Sequence, residues 1–231
     1  MPALFFLSNR RFVTARRWPL LCCLLLLALV LAPRLWAQPR ELVAGEHYQI
    51  IDEPVATSVG PGFIEVSDMF WYGCPECAKF APMMTYWGDG IAGDLSLRRR
   101  PAIWNDIMAT HARLYFAAEE LEIAPRVHAE AFRQIHELGN PLANEQQIQQ
   151  LFADMGIELE RFQQAWNAET VVAAVASARE ITAQAGVDRV PALLVNGQYR
   201  VTRNQAVPAL EEMVITTNLL IREIRSTRRD D

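Results

Sequence analysis

The stretch "FWYGCPECAKFAP", residues 70–82, places two cysteines three positions apart between a strand-like and a helix-like pattern. Such a pair can be half of a zinc site, a small structural disulfide or a redox centre. No cysteine follows Cys77, and the two others, Cys22 and Cys23, lie near the N-terminus. The surrounding sequence has to distinguish these three possibilities.

The N-terminus has the pattern of a secretory signal peptide. Residues 1–19 carry four arginines and no acidic residue, and an apolar run follows from Leu20 to Ala32. Ala37 is a suitable small residue before a cleavage site. The apolar run is shorter than the ~20 residues that span a bilayer, although an uncleaved membrane anchor is the alternative. We predict that residues 1–37 are a signal peptide and that the mature protein is periplasmic.

Cleavage there would leave 194 residues with 17 Lys and Arg against 27 Asp and Glu, a formal net charge of −10. This charge argues against a nucleic-acid partner, because phosphate binding requires clustered positive charge. Export places the cysteines in an oxidising compartment. The loop between Cys74 and Cys77 is too short to gain much stability from a cross-link, so a purely structural disulfide is disfavoured.

The patterns along the chain predict an α/β fold. Apolar alternation between turn-forming residues marks three strands: His47–Asp52, Phe63–Phe70 and Asp94–Arg100. A helical pattern follows the cysteines, with Phe80, Met83, Met84 and Trp87 on one face. Two further strands flank Asn196-Gly197, a strong hairpin signal, and a C-terminal helix comes last.

The stretch between the third strand and the hairpin contains only helical patterns, among them one that starts with the capping pair Asn144 and Gln147 and stops at Gly156. A parallel strand connection crosses over through a helix. We therefore predict an α/β domain that is split by an all-helical insertion. The predicted boundaries are 38–102 and 187–231 for the α/β domain and 103–186 for the insertion.

A metal site at the cysteine pair lacks further ligands. A tetrahedral zinc site needs four ligands, and no two histidines stand at ligand spacing. We expect all four to be exposed or on helix surfaces: His47, His111, His128 and His136. The sequence therefore predicts no metal and no cofactor.

A redox centre has positive support. Pro75 stands where a helix would start, the position that proline tolerates best. Cys74 would then lie at the helix N-terminus, where free N–H groups and the helix dipole stabilise a thiolate. Cys77 would lie one turn inside the helix, more buried, as the resolving thiol. We predict both cysteines to be catalytic, since the thiolate is the nucleophile of disulfide exchange.

Two further features fit this chemistry. In the second predicted strand, alternation places Asp68 on an apolar face, six residues before Cys74. A buried carboxylate there would have a raised pKa and could exchange protons with the inner thiol. The alternative is that Asp68 lies at the solvated end of the strand or pairs with an arginine of Arg98–Arg100. Val190-Pro191 opens a strand, and if that bond is cis, the Val190 backbone could be presented to an extended peptide near Cys74.

Together these motifs resemble the DsbA family of exported thiol–disulfide oxidoreductases. The resemblance rests on the Cys-Pro-x-Cys after a strand, the Ala81-Pro82 pair, the helical insertion and "VPALLVNGQY". It implies a thioredoxin fold with an inserted helical domain. It also implies a monomeric dithiol oxidase of reduced, unfolded exported proteins, reoxidised by a membrane partner of the DsbB type. By position, Cys74 matches the nucleophile, Cys77 the resolving cysteine, Val190-Pro191 the cis-proline pair and Asp68 the buried acid.

Glu76 departs from the family pattern, whose best-known members have histidine before the second cysteine. The buried acid is also usually glutamate, one methylene longer than Asp68. A negative charge beside Cys74 would raise the pKa of its thiol and penalise the reduced state. We therefore predict redox-tuning roles for Pro75, Glu76 and Asp68, and a weaker oxidant than a relative with histidine.

We predict an exported dithiol oxidase that introduces disulfide bonds into newly translocated proteins through Cys74 and Cys77. The nearest alternative is a periplasmic reductase or isomerase that uses the same thiols. The isomerases of this kind carry an added dimerisation domain, for which we find no spare segment. The alternative from another class is a non-enzymatic module that binds peptides or a metal.

Overall fold

The fold is organised around the strand Ile64–Phe70 (β2), whose seven residues are all buried. The computed structural model of the chain describes residues 41–230, and the predicted signal peptide lies outside them. Leu95–Pro101 (β3) pairs with β2 in parallel, and Ala192–Val195 (β4) pairs with its other edge in antiparallel orientation. Because β2 is covered on both faces, its polar residues Glu65, Ser67 and Asp68 are buried and need partners.

Two more strands extend the sheet beyond β4. Tyr199–Thr202 (β5) is antiparallel to β4, and Gln49–Ile50 (β1) is antiparallel to β5. The described residues thus form a sheet in the order β1-β5-β4-β2-β3. The predicted strands are confirmed, although the first is shorter than His47–Asp52 because it pairs with β5 over two residues only.

The hairpin between β4 and β5 turns at Asn196-Gly197, as predicted. Both residues have positive φ, 53° and 66°. Gly197 is also required by packing, because a Cβ atom there would lie 2.0 Å from the carbonyl oxygen of Val55. The Gly197 carbonyl accepts a hydrogen bond from the Val55 N–H at 2.9 Å. This turn therefore anchors the segment after β1 to the sheet.

The helices follow the predicted order. Within residues 41–230 they are α1 Pro75–Asp89, α2 Asp106–Glu120, α3 Ala124–His136, α4 Glu145–Asp154, α5 Leu159–Trp166, α6 Glu169–Gln184 and α7 Leu210–Asp230. The segment between β3 and β4 contains only helices, α2 to α6. The sequence patterns did not separate α5, which has eight residues and no side-chain cap on its N-terminus.

The predicted ends of α4 are confirmed. The Asn144 side chain accepts a hydrogen bond from the N–H of Gln147 at 3.0 Å. The Gln147 side chain accepts one in return from the N–H of Ala143 at 2.7 Å, one residue earlier than in the usual capping box. Gly156 follows the helix with φ of 85°, the left-handed conformation that ends many helices.

Apolar side chains fill both faces of the sheet. α1 and α7 cover one face with a cluster that includes Phe80, Met84 and Met213. α2 and α6 cover the other face, against Met69 of β2. A further cluster joins the helices α2 to α5 to Cys77 and the end of β2. Residues from Leu42 onward belong to one compact unit, so the boundaries that divide it at 102/103 and 186/187 stay a prediction.

Candidate active site

Cys74 lies at the junction between β2 and α1. It is the N-cap of the helix, with an extended backbone (φ −89°, ψ 116°). Its N–H donates to the carbonyl of Trp71 at 3.0 Å, which closes the turn after the strand. Pro75 is the first helical residue, where its missing N–H leaves no intrahelical bond unmade. The predicted strand–cysteine–helix junction is confirmed.

The Cys74 sulfur is half-buried and surrounded by donors. The backbone N–H of Cys77 donates to Sγ at 3.3 Å. The pKa of Cys74 is lowered to about 6, chiefly by the hydrogen bond from the Cys77 thiol and also by the backbone N–H groups of Cys77 and Glu76, against the opposing effect of burial. A large fraction of Cys74 is therefore thiolate at neutral pH, as a nucleophile of disulfide exchange must be.

Cys77 is the inner partner of this pair. Only 2% of it is exposed, and it packs in the cluster that contains Phe70 and Tyr72. Burial raises the pKa of Cys77, and the hydrogen bond to Cys74 and the charge of Asp68 raise it further. Both cysteines are free thiols in this structure. The pKa of Cys77 is thus higher than that of Cys74, so the proton stays on Cys77 and the negative charge on Cys74.

The segment before β4 approaches Cys74 from the other side. The Val190–Pro191 peptide bond is cis, as the family resemblance implies. The Sγ atom of Cys74 lies 3.4 Å from the carbonyl oxygen of Val190, to which it donates when it is protonated. Strand pairing of β4 with β2 brings these residues together across more than a hundred positions of sequence. The Val190 backbone therefore lies beside the sulfur atom that a substrate would have to reach.

Asp68 is buried within β2. It is 2% exposed, and its Oδ1 atom has no hydrogen-bond partner among the described residues. Burial raises the pKa of Asp68 to about 7, and the positive charge of Arg99, its register partner on β3, opposes the shift. The charge of Asp68 also contributes to the raised pKa of Cys77.

The arginine run on β3 pairs with a different carboxylate. Arg100 forms a salt bridge with the buried Glu65 at 2.9 Å and donates to Ser67 at 3.0 Å. Burial alone would raise the pKa of Glu65, but hydrogen bonds from Ser58 and Arg100 lower it overall. Within residues 41–230, Asp68 takes part in no salt bridge and is buried, which excludes both the solvated strand end and an ion pair with the arginine run. Proton exchange between Asp68 and Cys77 stays a prediction.

The expectation of exposed or surface histidines is wrong for two of the four. His111 and His128 are 3% and 4% exposed. Trp71 donates its indole N–H to Nδ1 of His111 at 3.0 Å, and Nε2 lies 3.0 Å from the Pro141 carbonyl. Since Nδ1 accepts, the proton of the neutral ring is on Nε2 and is donated to Pro141. Burial lowers the pKa of His111 and holds the ring neutral.

His128 lies close to the same site and was also missed. Its Nδ1 atom and the Tyr72 hydroxyl are hydrogen-bonded at 3.2 Å. Burial, with the nearby charge of Arg99, lowers the pKa of His128 to about 3. Helical spacing places His111 four residues before Tyr115 and His128 four residues before Phe132, on buried apolar faces. That spacing is the sequence signal that could have predicted their burial.

Glu76 extends from the first turn of α1 and is held by two cations. One carboxylate oxygen is 2.6 Å from Lys79 and the other is 2.6 Å from Arg203. Its charge raises the pKa of Cys74, in the direction predicted from the sequence, but by less than the hydrogen bonds lower it. The net pKa of Cys74 therefore stays below that of an ordinary thiol.

Over residues 41–230, no three His, Cys, Asp or Glu side chains are arranged to hold a metal ion. No helix in that range is both long and apolar enough to cross a bilayer.

Comparison with known proteins gives the family. The DSBA-like thioredoxin domain matches residues 91–214, which is more than half of the chain. The chain belongs to this family. The matched DsbA-family region contains the helical segment and Val190-Pro191, and it begins after Cys77. The family assignment therefore rests on the part of the fold that follows the cysteines. The roles of Cys74 and Cys77 are inferred from their burial and hydrogen bonds.

Individual DsbA relatives extend the similarity over most of the chain. The thiol:disulfide interchange protein DsbA of Azotobacter vinelandii is 32% identical over 163 residues, which cover 70% of this chain and 75% of the relative. The protein of the same name from Pseudomonas aeruginosa is 28% identical over 193 residues, covering 84% and 91%.

Among solved structures, DsbA from Xylella fastidiosa is 30% identical, with a TM-score of 0.74 over 80% of this chain and 98% of that one. These similarities confirm the predicted thioredoxin fold with an inserted helical domain. They also identify the chain as a thiol:disulfide oxidoreductase of the thioredoxin superfamily.

Proposed function

We propose that this chain is an exported dithiol oxidase, which introduces disulfide bonds into newly translocated proteins through Cys74 and Cys77. The observation that carries the proposal is the unequal pair of thiols. Cys74 is accessible, has a pKa of about 6 and caps a helix, whereas Cys77 is buried with a raised pKa. A thiol with a low pKa is a good leaving group, so a disulfide at Cys74 is readily given up.

The reaction begins from the Cys74–Cys77 disulfide. A substrate thiolate attacks Sγ of Cys74, a new bond forms between the two sulfurs, and the bond to Cys77 breaks. Cys77 leaves and takes up a proton, which its raised pKa favours. A second substrate thiolate then attacks the substrate sulfur of the mixed disulfide and releases Cys74 as a thiolate. Two electrons pass from the substrate dithiol to the protein disulfide.

Asp68 is proposed as the proton donor to Cys77. A carboxyl group with a pKa of about 7 is protonated in part of the molecules at neutral pH and can exchange protons in either direction. Asp68 is buried on the strand that precedes the cysteine turn, and its charge raises the pKa of Cys77. Proton transfer at this position would keep a negative charge from building up on the buried sulfur.

Val190 and Pro191 are proposed to hold the substrate chain. The Val190 carbonyl lies 3.4 Å from the reacting sulfur of Cys74, so an extended peptide that forms a mixed disulfide there would run past this backbone. Pro191 supplies no N–H of its own, so the backbone polar groups proposed to meet the peptide are those of Val190. The reactive sulfur and a backbone contact for the substrate would thus lie side by side.

The surroundings of the proposed enzyme follow from its N-terminus and its chemistry. The basic region and apolar run of residues 1–32 support export to the periplasm. Each catalytic cycle leaves a reduced Cys74–Cys77 pair, so a membrane oxidase of the DsbB type is proposed to restore the disulfide. We propose that the enzyme acts as a monomer on reduced, unfolded proteins.

The test is the transfer of the disulfide to a reduced, unfolded protein with two thiols. The oxidised protein should oxidise this substrate in a one-to-one ratio. Cys74→Ser should be inactive, whereas Cys77→Ser, mixed with a peptide disulfide, should retain one half of it as a mixed disulfide on Cys74 and release the other half as a thiol. A substrate that stays reduced in the presence of the oxidised protein would contradict the oxidase. Net reduction or reshuffling of existing disulfides instead would favour the reductase or isomerase alternative.

A further inference from the structure

Glu76, between the two cysteines, is bound by cations from two different elements. Its Oε1 atom lies 2.6 Å from Nζ of Lys79, one turn along α1. Its Oε2 atom lies 2.6 Å from Nη1 of Arg203, which follows directly after β5. The two residues of this second pair are 127 positions apart in the sequence. Both oxygens of the carboxylate therefore have a charged partner.

Arg203 is itself fixed at its other side. Its Nε atom donates to the carbonyl of Pro208 at 3.1 Å, so one guanidinium group joins the loop before α7 to the first turn of α1. Lys79 is the more exposed of the two cations, with 67% of its side chain accessible against 42% for Arg203. A lysine ammonium on a flexible stem holds a carboxylate less firmly than the planar guanidinium of arginine.

The position of Glu76 gives this contact a consequence for the redox pair. An unpaired carboxylate next to the Cys74 thiolate would repel it. With Lys79 and Arg203 in place, the formal charge of the group of three side chains is positive. We propose that Arg203 is a positioning residue for disulfide exchange, which holds and neutralises the Glu76 carboxylate and so limits its repulsion of the Cys74 thiolate. The role in exchange rests on the proposed function, but the electrostatic effect does not.

The proposal predicts that loss of Arg203 acts through Glu76. Arg203→Gln removes the charge and the contact, which leaves the carboxylate with Lys79 alone. Arg203→Gln should therefore raise the pKa of Cys74 by about 0.5 unit and shift the equilibrium with glutathione about 3-fold toward the disulfide.

The experiment is a double-mutant cycle read by thiolate absorbance against pH. The variants are Arg203→Gln, Glu76→Gln and the combination of both, each in the reduced full-length mature protein. Arg133→Gln is the matched control, since Arg133 forms a salt bridge with Glu130 at the same 2.6 Å and is 46% exposed. Circular dichroism of each variant checks that the fold is intact.

The proposal expects Arg203→Gln to raise the pKa of Cys74 in the wild-type background and by less than half as much in the Glu76→Gln background. Equal shifts in both backgrounds would overturn it, because Arg203 would then act on the thiolate directly. No shift, or the same shift in Arg133→Gln, would overturn it as well. The titration needs no substrate, so it tests the effect of Arg203 on the pKa of Cys74 even if the protein does not oxidise the reduced substrate protein.

Discussion

Asp68→Asn should abolish the loss of stability that the wild type undergoes as the pH rises from acid to alkaline values. The carboxyl group is 2% exposed, and its Oδ1 atom has no hydrogen-bond partner among the described residues. Its pKa is raised from 3.8 to about 7 by burial. The unfolded chain, where the group is solvated, releases the proton near the ordinary value, so ionisation favours unfolding.

The size of the effect follows from the pKa shift. A shift of about three units corresponds to ~4 kcal/mol between the two protonation states. Because the folded pKa is raised, the stability of the wild type is fully present below the unfolded pKa and falls as pH rises from about 4 through about 7. Above this window the penalty is complete. The uncharged asparagine has no such dependence, although its buried amide adds an offset that is constant with pH.

Chemical denaturation of both proteins at about pH 4 and about pH 8.5 measures this difference. The oxidised form is used, since neither cysteine titrates there. The gap in the free energy of unfolding between variant and wild type should widen by ~4 kcal/mol between the two pH values. Glu130→Gln, which removes a carboxylate from a surface salt bridge, is the control and should show a much smaller change. A gap that stays constant, or that narrows with rising pH, would refute the assignment of a protonated, buried Asp68.

Two further predictions concern the residues around Cys74. Pro191→Ala frees the backbone that holds the Val190 carbonyl 3.4 Å from the Cys74 sulfur, so we expect mixed disulfides on Cys74 to be released more slowly. Substrate adducts isolated under non-reducing conditions would show this. Unchanged turnover without adducts would contradict the proposed substrate contact. Glu76→His removes the carboxylate whose charge raises the pKa of Cys74. We expect a lower pKa of Cys74 and a reduction potential that is higher by up to about 30 mV, measured against a glutathione buffer. An unchanged or lower potential would contradict the electrostatic effect of Glu76.

The sequence determined those features that depend on neighbouring residues. The position of Cys74 at a helix N-terminus follows from the strand pattern before it and from Pro75 after it. The backbone N–H groups that lower its pKa belong to Glu76 and Cys77, two and three residues later. The turn at Asn196-Gly197 and the ends of α4 were likewise predictable. Each uses hydrogen bonds and backbone conformations that are complete within a few residues.

The tertiary structure decided the features that join distant parts of the chain. Which helices and strands meet determines the burial of His111 and His128 and the desolvation of Asp68. It also determines that Arg203 is the partner of Glu76. A sequence pattern can place Asp68 on an apolar face, but it does not show whether an arginine reaches it; in the structure, Arg100 pairs with Glu65 instead. The physical reason is that burial and electrostatic partners are set by packing between elements far apart in sequence, whereas the low pKa of Cys74 arises mainly within a single turn of helix.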